Sequence, residues 1–278
     1  MEKVSERVVR IAEEIVKRTR CEHYRLVLNE ERTAGVTDSK IGGRAYWPAG
    51  KEYPTDIQGK PMLMVMQVNC AQAGLKTPLP EHGMLQWFIS VNPEWMYGCH
   101  GNYDENGSGF RIVFHEMIEG ETSLAGAPTH DSVDEMLTPV KREVAIDVVV
   151  EETAMGVSDG CFNGLFREVF KEITGAEPNG QAWYQELDNS ECLYMERNMG
   201  MKRPSHQMLG YPKYSQDEAR RDIELHDTLL FQLDSQFSII DRKELVMWGD
   251  MGSGFIFINH NDLEARDFSR PYYCWDCG

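Results

Sequence analysis

The sequence predicts a mainly β protein, α+β in detail, built from an internal duplication, with an N-terminal helix and one or two peripheral helices. Two observations carry that prediction. The apolar segments are mostly short, rich in aromatic and β-branched residues, and bounded by Gly and Pro, as strands are. Landmarks of the first half also return in the second in the same order: Gly43 and Gly210, Gln67 and Gln232, Gly83 and Gly252 stand 167, 165 and 169 residues apart. A near-constant offset over three landmarks points to a repeated unit.

The elements follow in order. Val4, Val8, Ile11, Ala12 and Ile15 recur at helical spacing and predict an amphipathic helix over about residues 2–19. Tyr24 to Leu28 reads as a short strand, and Asn29 to Asp38 as a polar turn. Ser39 to Pro48, followed by Gly50, Pro54, Gly59 and Pro61, has too many breakers for a helix and reads as ordered loop. Met62 to Asn69 is apolar on both faces until Gln67, the pattern of a central strand. Pro78, Pro80 and Gly83 then turn the chain into a strand over Met84 to Val91. Phe110, Ile112 and Phe114 alternate with Arg111, Val113 and His115 at strand period, and Val144 to Val150 alternates likewise. Glu119 to Pro139, polar and broken, connects them.

Phe162, Leu165, Phe166, Val169, Phe170 and Ile173 mark an internal helix, capped by Ser158 or Asp159 and stopped by Gly175. Gln181 to Met199 reads as a less regular helix with Trp183, Leu187 and Leu193 inward. The organisation expected is one domain over 1–278: a helix to about residue 20, a first β half over 39–150, a helical connection over 158–200 and a second β half over 205–278.

Composition narrows the function. Lys and Arg number 28 against 45 Asp and Glu, a formal net charge of −17 that repels phosphate backbones and argues against nucleic acid. The same charge keeps a protein in solution and steers partners of basic character. The chain has no apolar run near the roughly 18 residues of a membrane helix and no signal-peptide layout at its start, so a cytoplasmic protein is expected. The seven cysteines have no framework spacing, which fits a reducing compartment.

The ordered motifs Ser39-Lys40-Ile41-Gly42-Gly43, Leu85-Gln86-Trp87-Phe88-Ile89, Gly210-Tyr211-Pro212, Leu229-Leu230-Phe231-Gln232-Leu233-Asp234, Trp248-Gly249-Asp250, Asp267-Phe268-Ser269 and Trp275-Asp276-Cys277 resemble the YwqG-like family of uncharacterised bacterial proteins. The resemblance runs from about Ser39 to Cys277. It implies a roll of antiparallel sheets with peripheral helices, and no established activity. Where the family pattern reads Gly-Gly-x-Pro, this chain has Gly43-Arg44-Ala45, which predicts a looser first loop.

Several residues are candidates for chemistry. Cys274 and Cys277 have the spacing of a redox dithiol or of half a zinc site, or are packing and free thiols. Trp248 to Gly254 is glycine-rich like a phosphate cradle, but lacks the Gly-Lys-Ser/Thr ending and precedes a strand; its glycines serve a positive φ or a bulge, and Asp250 would cap the turn. Gln67 and Gln232 each interrupt an apolar strand, as structural ties or, with Trp248 and Asp250, as the lining of a ligand cleft between the halves. His115-Glu116 and His130-Asp131 lack helical zinc spacing, and the 15 dispersed methionines read as core filler. With no recognisable catalytic constellation and no cofactor motif, the expectation is a non-enzymatic binding or protein-interaction module. The alternative is an enzyme or small-ligand binder using a cleft between the halves.

Overall fold

The β-rich segments pair into one curved ladder. The computed structural model describes residues 4–99, 103–104, 108–120, 122–200, 206–216 and 218–278. Among these residues α1 (Glu6–Thr19) leads into β1 (Cys21–Asn29), β2 (Lys40–Ile41), β3 (Leu63–Asn69), the one-turn α2 (Cys70–Ala73), β4 (Met84–Ile89), β5 (Tyr103–Asp104), β6 (Phe110–His115) and β7 (Val144–Thr153). Then come α3 (Phe162–Thr174), α4 (Asn189–Asn198), β8 (Gln207–Met208), β9 (Thr228–Asp234), β10 (Gln236–Phe237), β11 (Glu244–Val246), β12 (Ser253–Ile258), α5 (His260–Glu264) and β13 (Tyr272–Asp276). None of these helices is long and apolar enough to cross a membrane.

Eleven strands form an antiparallel sheet in the order β5-β13-β12-β9-β8-β1-β7-β2-β3-β4-β6, and β10 with β11 makes a separate hairpin. The long pair β1 and β7 lies at the centre, in register from Cys21 opposite Thr153 to Asn29 opposite Ala145. From β7 the sheet continues through β2, β3, β4 and β6; from β1 it continues through β8, β9, β12 and β13. Each arm takes these strands in chain order outward from the centre, and β5, which lies between β4 and β6 in the chain, crosses over to pair outside β13.

The two arms curl toward each other because their inner faces share one apolar core. Trp87 on β4 stacks on Trp248 at 5.6 Å and meets Tyr273 of β13 edge-on at 5.4 Å. Phe110 of β6 lies 5.2 Å from Tyr273, so the ends of the ladder approach each other and the sheet is nearly closed. β3 is buried on both faces, Val65 and Val68 in the main core and Met62 and Met64 against Trp47 and Phe88 outside it. That is the arrangement its continuous apolar run predicts.

The helices form a second layer with its own core. Val8, Ile11 and Ile15 of α1 pack with Phe162, Phe166, Val169 and Phe170 of α3, joined by Trp183 and Met195. Gly175 ends α3 at φ 72°, in the left-handed region, where its N–H bonds to Lys171 O. The Asp159 carboxylate receives the Cys161 N–H at 2.9 Å just ahead of the helix.

Some expectations need correction. The segment 181–199 splits into a short turn at Trp183–Glu186 and α4, and Leu193 is 42% exposed. Met195 is buried in its place, one helical turn after the buried Glu191 and on the same face, with Leu193 turned away from both. The loop after Gly43 is tied down despite lacking its proline: Gly42 N–H donates to Val65 O, Gly43 N–H to His130 Nδ1, Tyr46 N–H to Gln67 Oε1 and Trp47 N–H to Thr122 O.

Candidate functional site

Gln67 and Gln232 are fully buried and serve as matched ties, one in each arm. The Gln67 Oε1 accepts the Tyr46 N–H at 2.9 Å and the Gln86 Nε2–H at 3.2 Å, and its Nε2 donates to Val36 O and Asp38 O. The Gln232 Oε1 accepts the Lys213 N–H at 3.0 Å and the Gln207 Nε2–H at 3.0 Å, and its Nε2 donates to Lys213 O. Each amide fastens the loop after its arm's glycine to the strand. Because the partner glutamine comes from β4 in one arm and β8 in the other, the ties are equivalent in function but not in detail.

Trp248 is also fully buried, between Trp87 and Tyr97. Asp250 stands exposed on the following turn, where its backbone carbonyl rather than its carboxylate receives the Gly278 N–H at 2.9 Å. The structure therefore places three of these four residues in packed interior and one at the surface, and none of them lines the cleft described below. Cys274 and Cys277 sit on opposite faces of the β13 segment: Cys274 packs with Tyr214 and Phe255, Cys277 against the main core. Three residues along an extended chain reverse the side-chain direction, so the spacing that pairs thiols on a helix separates them here. Burial pushes the Cys274 thiol far above its ordinary range. Among the described residues, no group of three or more His, Cys, Asp or Glu side chains is placed to hold a metal ion. His115 is enclosed by the rings of Tyr46 and Trp47, and burial lowers it to a pKa of about 4.

The concavity with functional character lies at the seam where the two arms meet. A cleft of about 710 Å³ is bounded by Phe110, Arg111 and Ile112 of β6 on one side and by Phe268 to Tyr272, leading into β13, on the other. Its third wall is the loop carrying Arg221, Asp222, Leu225 and His226. Three guanidinium groups against one carboxylate thus face one cleft in a chain of net charge −17. The Arg111 Nη1 donates to Phe110 O at 2.8 Å, and Arg270 pairs with Asp262 at 2.8 Å.

The third wall is held from behind. Arg220, buried beside the exposed Arg221, lies over the Phe257 ring at 4.7 Å and bonds to the Glu218 carboxylate through Nε and Nη2. Its Nη1 reaches His226 O at 3.3 Å. Asp159 lies 3.6 Å from the same guanidinium, and burial raises its carboxyl above the ordinary value. Tyr272 donates its hydroxyl to Ala219 O at 2.8 Å, and its ring meets His226 at 5.1 Å. The loop is therefore fixed to β12 and β13 before any ligand arrives, which lowers the ordering cost of binding.

Sequence reasoning missed Arg111, Arg221, Arg270 and His226. Each looks like an ordinary surface charge in its own segment, and only closure of the sheet brings the three segments together.

Residues 39–277 match the family described as a domain of unknown function (DUF1963), and the chain belongs to that family. No curated protein matches the chain.

Proposed function

We propose that this DUF1963 chain is a non-enzymatic binding module that takes an anionic ligand in the cleft between its two arms. The single observation that carries the reading is the convergence of Arg111, Arg221 and Arg270 on one concave site of an otherwise acidic protein. Guanidinium groups pair with carboxylates and phosphates through two parallel hydrogen bonds, and a concave wall strengthens that attraction by excluding water. The accessible apolar surface of Leu225 and Phe268 in the lining supplies contact area, as ligand clefts generally do. The net charge of −17 over the whole chain would steer a basic partner, so the cleft is a local exception to it.

Some wider readings accompany this one. The matched strand order of the arms and the equivalent ties of Gln67 and Gln232 support an origin by duplication, within one domain that both arms complete. The YwqG-like resemblance is the finer placement within the family, and a cytoplasmic site of action fits the free cysteines.

Calorimetric titration tests the proposal, with succinate, inorganic phosphate and capped tetra-aspartate as anionic probes and capped tetra-lysine as control. An anionic probe should bind saturably, and Arg111→Glu and Arg221→Glu should each weaken it by about tenfold or more. Binding confined to tetra-lysine, or anion binding untouched by both substitutions, would contradict the reading.

A further inference from the structure

The cleft has a feature that a small anion would leave unused: one of its walls is the free edge of a sheet. Among the described residues β6 is the last strand of the ladder and pairs with β4 alone. Ser90 N–H donates to Gly109 O at 2.7 Å, which makes that opposed pair a hydrogen-bonded one. Alternation along an antiparallel ladder then turns the backbone groups of Arg111 and Val113 toward β4 and those of Phe110, Ile112 and Phe114 outward. The bond from Arg111 to Phe110 O agrees with this, since the chain's own guanidinium covers the first outward carbonyl. Outward N–H and C=O groups on an edge strand are a template for another strand.

The shape is elongated in the same direction. Beyond Phe114 a second groove of about 860 Å³ continues past Glu116 and Met117 between Pro80, Glu81 and His82. Phe114 meets Phe268 at 5.7 Å at the junction of the two. From Phe110 to His115 the strand runs about 17 Å at the usual rise, and the second groove carries the path on past Glu116 and Met117. Charge selects its character, because the arginines of the first groove come from both walls and the loop above.

We propose that the ligand of the cleft is an extended acidic polypeptide segment that adds to β6 as a further strand, with its carboxylates against Arg111, Arg221 and Arg270. This rests on the anionic-ligand reading above and narrows it. Backbone pairing along Phe110 to Phe114 supplies affinity that does not depend on sequence, and the three guanidiniums select acidic side chains. A peptide strand projects alternate side chains to one face, so acidic residues at every second position satisfy the arginines together.

The test uses the full chain and four probes: a capped decapeptide alternating Asp and Val, the same peptide alternating Lys and Val, the Asp peptide N-methylated at every second amide, and succinate. Binding is followed by fluorescence anisotropy, with succinate read by competition and direct calorimetry. Amide exchange at Ile112 and Phe114 is followed by NMR. The expected result is saturable binding of the Asp peptide, weakened about tenfold or more by N-methylation, by exchange of Asp for Lys, and by Arg270→Glu at the exposed rim. Exchange at Ile112 and Phe114 should slow by a similar factor when the peptide binds. If succinate binds in an Arg270-dependent way while the Asp peptide does not bind, or the N-methylated peptide binds equally well, the added strand is overturned and the anionic cleft stands. If no anionic probe binds, or Arg270→Glu changes nothing, both are overturned.

Discussion

Gly252 stands so close to the end of β13 that a Cβ there would lie 1.7 Å from Asp276 O. Gly83, ahead of β4, holds the corresponding place in the other arm, with a Cβ 2.2 Å from His115 O at the end of β6. The glycines that introduce β4 and β12 are thus fixed by close approach of backbone to backbone, and the positive φ expected of such glycines is found at Gly83 (90°) and Gly249 (51°). Gly252→Ala should cost about 3 kcal/mol, the upper end for forced overpacking, in urea denaturation. Gly50→Ala, where no atom lies within 4 Å, should cost about 1–2 kcal/mol from its positive φ alone. The tying glutamines give a second residue-scale expectation. Gln67→Leu and Gln232→Leu each strand buried backbone groups, and each should lower stability by about 2–4 kcal/mol. A loss below about 1 kcal/mol at both would contradict their role as ties.

His115 adds a pH dependence of definite sign. Burial holds the folded imidazole neutral down to a pKa of about 4, while the unfolded chain takes up a proton near the ordinary value of 6.5. The folded state therefore binds fewer protons between these values. The stability His115 contributes is present above pH 6.5 and is lost as pH falls toward 4, at up to about 1.4 kcal/mol per pH unit. Burial lowers His23, His130 and His206 in the same direction. Urea midpoints measured at pH 7.5 and 5.5 should fall with pH, and His115→Phe, which fits the aromatic surroundings of Trp47 and Tyr46, should flatten that fall.

At the scale of elements, the loop bearing Arg221 and His226 depends on one buried cation. Arg220 is 4% exposed at its side chain and neutralises Glu218 and Asp159, which are themselves largely buried. Arg220→Met would leave two carboxylates without their partner, and unfolding experiments should show a loss of about 3–5 kcal/mol. The double variant that also carries Glu218→Gln should recover part of it, since one stranded charge is then removed.

The elements also divide by how far their residues announce them. β3 and β6 are legible, because burial on two faces or one leaves a direct imprint on the apolar pattern. The inward face of α4 is not, because the buried i, i+4 pair that marks it includes the charged Glu191 while the apolar Leu193 faces outward. β13 hides its apolar character among the aromatic and cysteine residues of Tyr272 to Trp275, and the zinc-like spacing of Cys274 and Cys277 dissolves once the segment is extended.

For the whole molecule, the two arms of the sheet close on each other through Trp87, Trp248 and Tyr273. What no local pattern carries is the place where closure stops short. The cleft lies between β6 and the approach to β13, and its arginines come from positions 111, 221 and 270. Such a site is a property of long-range topology, invisible to spacing rules that look for ligands close together in the chain. Gln67, Gln232, Trp248 and Asp250 stood out in the sequence because they interrupt or introduce apolar strands. The first three bear on the core for that same reason.

The central claim is that the seam cleft is where this protein meets an anionic ligand. NMR of the arginine side-chain Nε–Hε groups, recorded while the alternating Asp-Val decapeptide is titrated into the full chain, tests it most directly. Saturable shifts are expected at Arg111, Arg221 and Arg270, with little change at Arg18 and Arg142, which lie outside the cleft. Shifts spread evenly over all arginines, or confined to those outside the cleft, would contradict it.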